Sequence, residues 1–206
     1  LNKSEIAALD QNDPLRSHRD KFELPEDIIY LDGNSLGALP KGVADRLSDV
    51  VTQEWGKSLI KSWNVHDWYP QPGRVGDKIA KLIGAEQGSV VSADSTSVNL
   101  YKLLTAAVRL NEDLNPGRRV ILSDTGNFPN DLYVIQGLVD LLGDDYEMRL
   151  VAPEEIAHAL TEDVAAAVIT QVDYRTGRRH DMADLTARAK DRGIKVIWDL
   201  CHSAGA

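Results

Sequence analysis

The second half of the chain alternates between short apolar runs and amphipathic helical patterns, and this alternation constrains the fold more than any other feature. The apolar runs lie at 89–92, 119–123, 147–151, 164–171 and 194–200, and helical patterns lie between them at about 97–110, 130–142, 154–160 and 183–192. Such an order is typical of an α/β sheet with crossover helices. The runs VAAAVIT and IKVIWDL lack a two-residue period, which indicates strands buried on both faces. The sequence therefore predicts an α/β fold with a mixed, mainly parallel sheet.

The first 90 residues follow a different pattern. Residues 1–29 are polar and resemble an arm with one short helix, and IIYLDGNSLG (28–37) predicts a short strand that runs into a glycine-rich turn. Apolar residues recur at helical spacing between 43 and 55, residues 61–76 resemble a loop, and a helix is expected to stop at Gly84.

Composition excludes several classes of function. Lys and Arg number 23 against 32 Asp and Glu, and a formal charge of -9 argues against a nucleic-acid partner. Cys201 is the single cysteine, so neither an internal disulfide framework nor a cysteine-rich zinc site is expected, and no metal is predicted. No apolar run approaches the roughly 20 residues of a membrane span, and no secretory leader is visible. These features favour a cytoplasmic protein without a membrane partner.

Two polar segments each follow a predicted strand and precede a helix. In SADSTSVNL (92–100), Ser95, Thr96 and Ser97 lie near a helix start, where N–H groups and hydroxyls suit a phosphate. Capping of that helix by Asp94, Ser95 or Thr96 explains the same residues. The second segment, SDTGNFPND (123–131), places an aromatic ring, Phe128, between polar groups. Alternatively, Phe128 is buried in a small apolar core and Asn130 or Asp131 caps the helix.

The third segment, VIWDLCHSAGA (196–206), ends a strand in Asp199 and places His202 three residues later. Asp199 as the cap of a turn and His202 as a partner for backbone groups would explain this segment without a ligand. Ligands of open α/β sheets collect beyond the carboxyl ends of the strands, where all three segments lie. A phosphate cradle, an aromatic face and a carboxylate for a pyridine nitrogen together indicate pyridoxal phosphate.

The segments YLDGNSLG, DSTSVNL, NFPND, VDYRTG and WDLCHSAGA occur in this order, and from about residue 20 to its end the chain resembles the kynureninase family. The resemblance implies a fold type I (aspartate aminotransferase-like) pyridoxal phosphate enzyme, a homodimer that hydrolyses a carbon-carbon bond of L-kynurenine to give anthranilate and L-alanine. The sequence does not decide between kynurenine and 3-hydroxykynurenine. A role in tryptophan catabolism and NAD biosynthesis is implied as well.

The resemblance also implies roles for individual residues. It places Ser95 and Thr96 at the phosphate, Phe128 on the cofactor ring, and Asp199 at the pyridine nitrogen with His202 beside it. Ser35 and Trp63 resemble substrate-side positions. The remaining cofactor contacts implied by the resemblance are Pro129, Asn130, Asp131 and Thr170.

The lysine that forms the Schiff base in this family lies beyond the DL-x-H-S-x-G segment, and none of the ten lysines here matches it. The expected organisation is therefore truncated: an amino-terminal arm and small-domain segment at 1–60, and an incomplete cofactor-binding large domain at 61–206. A chain of this extent is expected to be inactive alone.

Three alternatives remain open at this stage. Another fold type I enzyme, such as a desulfurase-like lyase or an aminotransferase, would share the phosphate cradle and the Asp-x-x-His strand end. A non-catalytic truncated domain would share the fold. A nicotinamide-dependent oxidoreductase is disfavoured because no G-x-G-x-x-G follows a strand.

Overall fold

The computed structural model describes residues 1–205, which form two compact units that divide between Gln71 and Pro72. The sequence pattern placed this boundary at residue 60, about ten residues earlier. The assignment of the two parts to an arm with a small-domain segment and to a cofactor-binding large domain stays a prediction.

The first unit is built from short elements. Its helices are α1 (Lys3–Asn12), α2 (Val43–Asp49), α3 (Gly56–Ser58) and α4 (Ser62–Val65), with 3-10 turns at Arg16–Lys21 and Leu59–Lys61 and a π-helical turn at Val50–Trp55. Two-residue strands β1 (Phe22–Glu23) and β2 (Leu39–Pro40) pair antiparallel. The strand predicted at the start of 28–37 is wrong, because residues 28–32 have no regular structure, whereas the glycine-rich turn predicted after it is present at 33–36. The loop predicted at 61–76 is also wrong, since α4 and the start of α5 (Gln71–Ile83) occupy most of it.

The second unit carries the predicted alternation. After α5 come α6 (Thr96–Leu114), β3 (Val120–Asp124), α7 (Pro129–Leu142), β4 (Glu147–Val151), α8 (Ile156–Ala159, after a 3-10 turn at Pro153–Glu155), β5 (Val164–Thr170), α9 (Met182–Asp191) and β6 (Lys195–Asp199). The strands form one sheet in the order β4-β3-β5-β6, and every pairing is parallel. The predicted α/β class with crossover helices is confirmed. Because β3, β5 and β6 are neighbours, their carboxyl ends lie side by side.

The predicted strand at 89–92 is wrong, because this segment packs against a helix instead of joining the sheet. A methyl group built on Gly76 of α5 would lie 1.9 Å from the carbonyl oxygen of Val90. Ser92 N–H donates to the carbonyl of Pro72 at 3.1 Å. The apolar residues at 89–92 therefore reflect packing against α5 rather than participation in the sheet.

Two apolar clusters cover the two faces of the sheet. One cluster joins Ala166 and Val168 of β5 to α6 and α7, and the other joins Ala167 and Ile169 to α8 and α9. All seven residues of β5 are buried, as the apolar run predicts for a central strand. Burial on both faces fixes where each strand ends and thus where the polar residues beyond it project.

Candidate functional site

The start of α6 forms one side of the candidate site. The Ser95 side chain caps the helix, because its Oγ accepts the N–H of Val98 at 3.4 Å. The capping alternative is therefore correct for Ser95, while Thr96 begins the helix and lines the pocket described below. Ser97 is one of the hydroxyls near the helix start but not one of the contacts implied by the resemblance, and its Oγ accepts the Asn130 amide at 2.5 Å. This bond joins the start of α6 to the segment that follows Phe128.

The loop between β3 and α7 presents Phe128 rather than burying it. The Phe128 side chain is 42% exposed, and no side chain caps α7, which begins with Pro129. A core anchor at Phe128 and a cap at Asn130 or Asp131 are therefore both wrong. The ring is available to cover the face of a planar ligand.

Asp131 is the most unusual acid of the site. It is 2% exposed, and its Oδ2 atom has no hydrogen-bond partner among the described residues. Burial, together with the charge of Asp199, raises the pKa of Asp131 to about 6. A buried carboxyl oxygen without a hydrogen-bond donor lowers the stability of the folded state. This position therefore suits a ligand that donates a hydrogen bond to the oxygen, or protonation of the carboxyl group.

Thr170 and Asp199 meet where two parallel strands end. They are register partners on β5 and β6, and Thr170 Oγ1 lies 3.2 Å from Asp199 Oδ2. The other oxygen, Asp199 Oδ1, accepts the N–H of Cys201 at 2.8 Å. Asp199 thus caps the turn, as predicted for this residue in the absence of a ligand. Its second oxygen, Oδ2, contacts Thr170. Burial, followed by hydrogen bonding and charge from Asp199, raises the pKa of the Cys201 thiol to about 11, which keeps it protonated at neutral pH.

A pocket of about 250 Å³ lies between α6 and the end of β6. It brings together three predicted cofactor contacts, Thr96, Asp131 and Asp199, on largely apolar walls. Its lining is completed by Asn99, Leu100, Leu103, Ile197, Trp198, Leu200 and Cys201. No lysine is among these lining residues.

An aromatic group lies at the ends of β3, β5 and β6. The Phe128 and Tyr174 rings meet edge to face at 5.2 Å between centroids, and the His202 ring stacks on Tyr174 at 6.3 Å. The predicted residues Phe128 and His202 therefore share a neighbour that the sequence did not assign a role. In the sequence, Tyr174 is recognisable only as one aromatic residue in a polar loop that follows a strand.

Asn127 is a second residue that sequence reasoning left without a role. It is 4% exposed, its amide donates to Ser123 Oγ at 2.9 Å, and its Oδ1 accepts the Phe128 N–H at 2.7 Å. The Thr170 hydroxyl also contacts that oxygen. Asn127 thus links the Phe128 backbone to the strand end that carries Thr170.

The predicted substrate-side residues lie in the first unit. Ser35 donates its hydroxyl to Asp32 Oδ1 at 2.7 Å, and the half-exposed Trp63 meets Trp68 edge to face at 6.2 Å. Their substrate role stays a prediction.

The residues present fit pyridoxal phosphate. The orphaned Asp131 oxygen and the Asp199 carboxylate suit protonated or polar groups, the hydroxyls at the start of α6 suit a phosphate, and the Phe128 ring suits a flat face. For a metal, residues 1–205 offer no cluster of three or more His, Cys, Asp and Glu side chains. Within the same residues, every helix is too short or too polar to span a bilayer.

A sequence model of the DegT/DnrJ/EryC1/StrS aminotransferase family matches residues 53–206, about three quarters of the chain. The chain belongs to this family. Over its whole length it is 54% identical to a kynureninase of Deinococcus radiodurans, of which it covers 50%. It is 48% identical to a kynureninase of Pseudomonas fluorescens, with 99% of this chain and 49% of that protein covered. The predicted resemblance to kynureninases is confirmed, and the chain spans about half the length of these relatives.

Solved structures share the fold at low identity. The cystine C-S lyase C-DES, in complex with cysteine persulfide, has a TM-score of 0.67 at 14% identity, with 87% of this chain and 49% of that one covered. A cysteine desulfurase from Thermococcus onnurineus NA1 has a TM-score of 0.61 at 18% identity, with 88% and 46% covered. At such identities the likeness extends to the fold alone.

Proposed function

We propose that this protein is a pyridoxal phosphate-dependent hydrolase of the kynureninase type, which cleaves the side chain of L-kynurenine to give anthranilate and L-alanine. One observation carries the proposal: residues that the resemblance assigns to the cofactor, from the ends of three different strands and the start of α6, converge in one region. The identity of 48–54% to kynureninases over at least 99% of the chain supports the reaction class.

The residues of this chain would divide the binding work. Asp199 would accept a hydrogen bond from the ring nitrogen and keep it protonated, and Thr170 would hold the Asp199 carboxylate in place. Phe128 would cover one ring face, and Ser95 and Thr96, at the start of α6, would donate to the phosphate. When bound, pyridoxal phosphate supplies an electron sink for a carbanion on the substrate.

Cofactor binding is testable in the chain itself. We expect equilibrium dialysis to show binding of pyridoxal phosphate by the wild type and loss of roughly ten- to a hundredfold in affinity in Asp199→Ala, because a charge-assisted hydrogen bond contributes about 1.5–3 kcal/mol. Asp144→Asn, an exposed acid distant in sequence from the site, is the control. Equal affinity in the wild type and Asp199→Ala would contradict the proposed site.

The reaction is tested with the longest available form of the protein that includes residues 1–206. Anthranilate fluorescence should rise with kynurenine, whereas a desulfurase-like lyase would release sulfide from cysteine and an aminotransferase would need a keto-acid acceptor. The pocket lining holds no lysine, so we propose that these 206 residues alone bind the cofactor without turnover. Conversion of kynurenine by the purified 206-residue chain above a no-enzyme control would contradict this.

The finer assignments belong to the same proposal. A homodimer, a cytoplasmic location and a place in tryptophan catabolism and NAD biosynthesis follow from the kynureninase resemblance. 3-Hydroxykynurenine is the natural competitor substrate, and the ratio of kcat/KM for the two compounds would establish the preference.

A further inference from the structure

A buried acid–imidazole pair joins the loops that carry Phe128 and Tyr174. His180 Nε2 lies 3.1 Å from Asp124 Oδ2, and the two side chains are 6% and 3% exposed. The ionised carboxylate can only accept, so the 3.1 Å contact requires a hydrogen on Nε2 of His180. Arg178 Nη2, which can only donate, lies 3.3 Å from the same nitrogen and is the longer of the two contacts. The pair joins two strand ends, because Asp124 is the last residue of β3 and His180 closes the loop that follows β5.

The Asp124 end of the pair shapes the loop that leads to Phe128. Asp124 Oδ1 accepts the N–H of Gly126 at 2.8 Å, and the Asp124 carbonyl accepts the N–H of Asn127 at 3.2 Å. Asn127 in turn holds the N–H of Phe128 at 2.7 Å. The backbone before the ring is therefore fixed step by step from the buried carboxylate.

The His180 end of the pair shapes the loop that carries Tyr174. His180 N–H donates to the carbonyl of Gln171 at 2.9 Å, which closes the base of the loop. Near the tip, Asp173 Oδ1 accepts the N–H groups of Arg175 at 2.7 Å and Thr176 at 3.1 Å. Tyr174 lies between these bonded residues, so its backbone is held as well.

The two loops touch at Gly126. A methyl group built there would lie 3.0 Å from Asp124 Oδ1 and 3.2 Å from Asp173 Oδ2. The contact is tight, so a side chain at this position would require one of the two carboxylates to move by a few tenths of an ångström. The two loops carry the Phe128 and Tyr174 rings, whose centroids are 5.2 Å apart.

We propose that the Asp124–His180 pair is a positioning device that sets Phe128 against Tyr174 and so fixes the aromatic face offered to a planar cofactor. Both residues act through the two loops and are positioning residues rather than catalytic ones. The link to cofactor affinity rests on the proposed function, whereas the effect on Phe128 itself does not.

Fluorine NMR tests the proposal directly, because Phe22 and Phe128 are the only phenylalanines of the chain. Incorporation of 4-fluorophenylalanine gives two resonances, and Phe22 serves as the internal reference. We expect His180→Ala to shift or broaden the Phe128 resonance while Phe22 stays unchanged. His180→Gln, whose amide can again donate to Asp124, should return the resonance toward its wild-type position.

A structural role alone would lower the melting temperature without moving the Phe128 resonance of the folded protein. His158→Ala, which removes an exposed histidine, is the matched control. An unchanged Phe128 resonance in folded His180→Ala would overturn the proposal. Should His180→Ala fail to fold, Asp124→Asn takes its place, with the same resonance deciding.

Cofactor affinity separates this inference from the proposed function. With pyridoxal phosphate as the probe, His180→Ala should bind roughly two- to tenfold more weakly than His180→Gln, in proportion to a lost edge-to-face contact. If the wild type binds no pyridoxal phosphate but Phe128 still responds to His180→Ala, the proposed function fails and the positioning device stands. If the wild type binds and Phe128 does not respond, the positioning device alone fails.

Discussion

At the scale of single residues, the burial of the Asp131 carboxyl group lowers the stability of the folded protein. Its buried oxygen has no partner within the described chain, and its pKa is raised to about 6 by burial and by Asp199. A carboxyl group that holds its proton more tightly in the folded state destabilises that state once it ionises. Such a cost is common where a binding site is prepared for a ligand.

Asp131→Asn should therefore stabilise the ligand-free chain at pH 7 by about 1–2 kcal/mol, a value reduced by solvent screening. Between the unfolded pKa of 3.8 and the folded pKa of about 6, the wild type loses stability as the pH rises. The advantage of the variant should thus appear over this window and vanish below it. Urea unfolding at pH 4 and pH 7 measures the difference, with Asp144→Asn as the control. A variant equally stable to the wild type at pH 7 would contradict the cost assigned to Asp131.

At the scale of elements, glycine positions in α5 show how one close approach excludes a side chain. Gly76 packs on the Val90 carbonyl, and a methyl group there would lie at 1.9 Å. Gly73, one turn earlier in the same helix, has nothing within 4 Å of such a methyl group. The two glycines differ in their surroundings rather than in their helical setting.

The same substitution should thus have opposite effects at these two positions. Gly73→Ala should stabilise the protein by about 0.5–1 kcal/mol through helix propensity. Gly76→Ala should destabilise it by about 1–3 kcal/mol, because the added methyl forces backbone shifts. Thermal unfolding of both variants provides the test, and a Gly76→Ala protein as stable as Gly73→Ala would show that α5 does not pack on residue 90 as described.

At the scale of the whole molecule, both apolar clusters belong to residues after 72. The first unit contributes many exposed apolar side chains, among them Ile29 at 87% and Leu31 at 90%. Stability is therefore concentrated in the second unit, since burial of apolar area is the main favourable contribution to folding.

We expect residues 72–206 expressed alone to keep the sheet and its helices. Far-UV circular dichroism should show a cooperative thermal transition, and hydrogen exchange should protect β5 most strongly, because all seven of its residues are buried. Residues 1–71 expressed separately are the comparison, and we expect weaker protection there. A non-cooperative transition for 72–206 would mean that the first unit is required for folding.

The alternation of apolar runs with helical patterns determined the α/β class, and polar residues after the runs determined which positions face one sheet edge. These properties depend on local periodicity, which sequence carries directly. The role of 89–92 was decided by contact with Gly76, and the importance of Asn127 and His180 by hydrogen bonds between residues more than 40 positions apart. Only tertiary structure could place those partners, because a buried polar group is defined by what surrounds it and not by its neighbours along the chain.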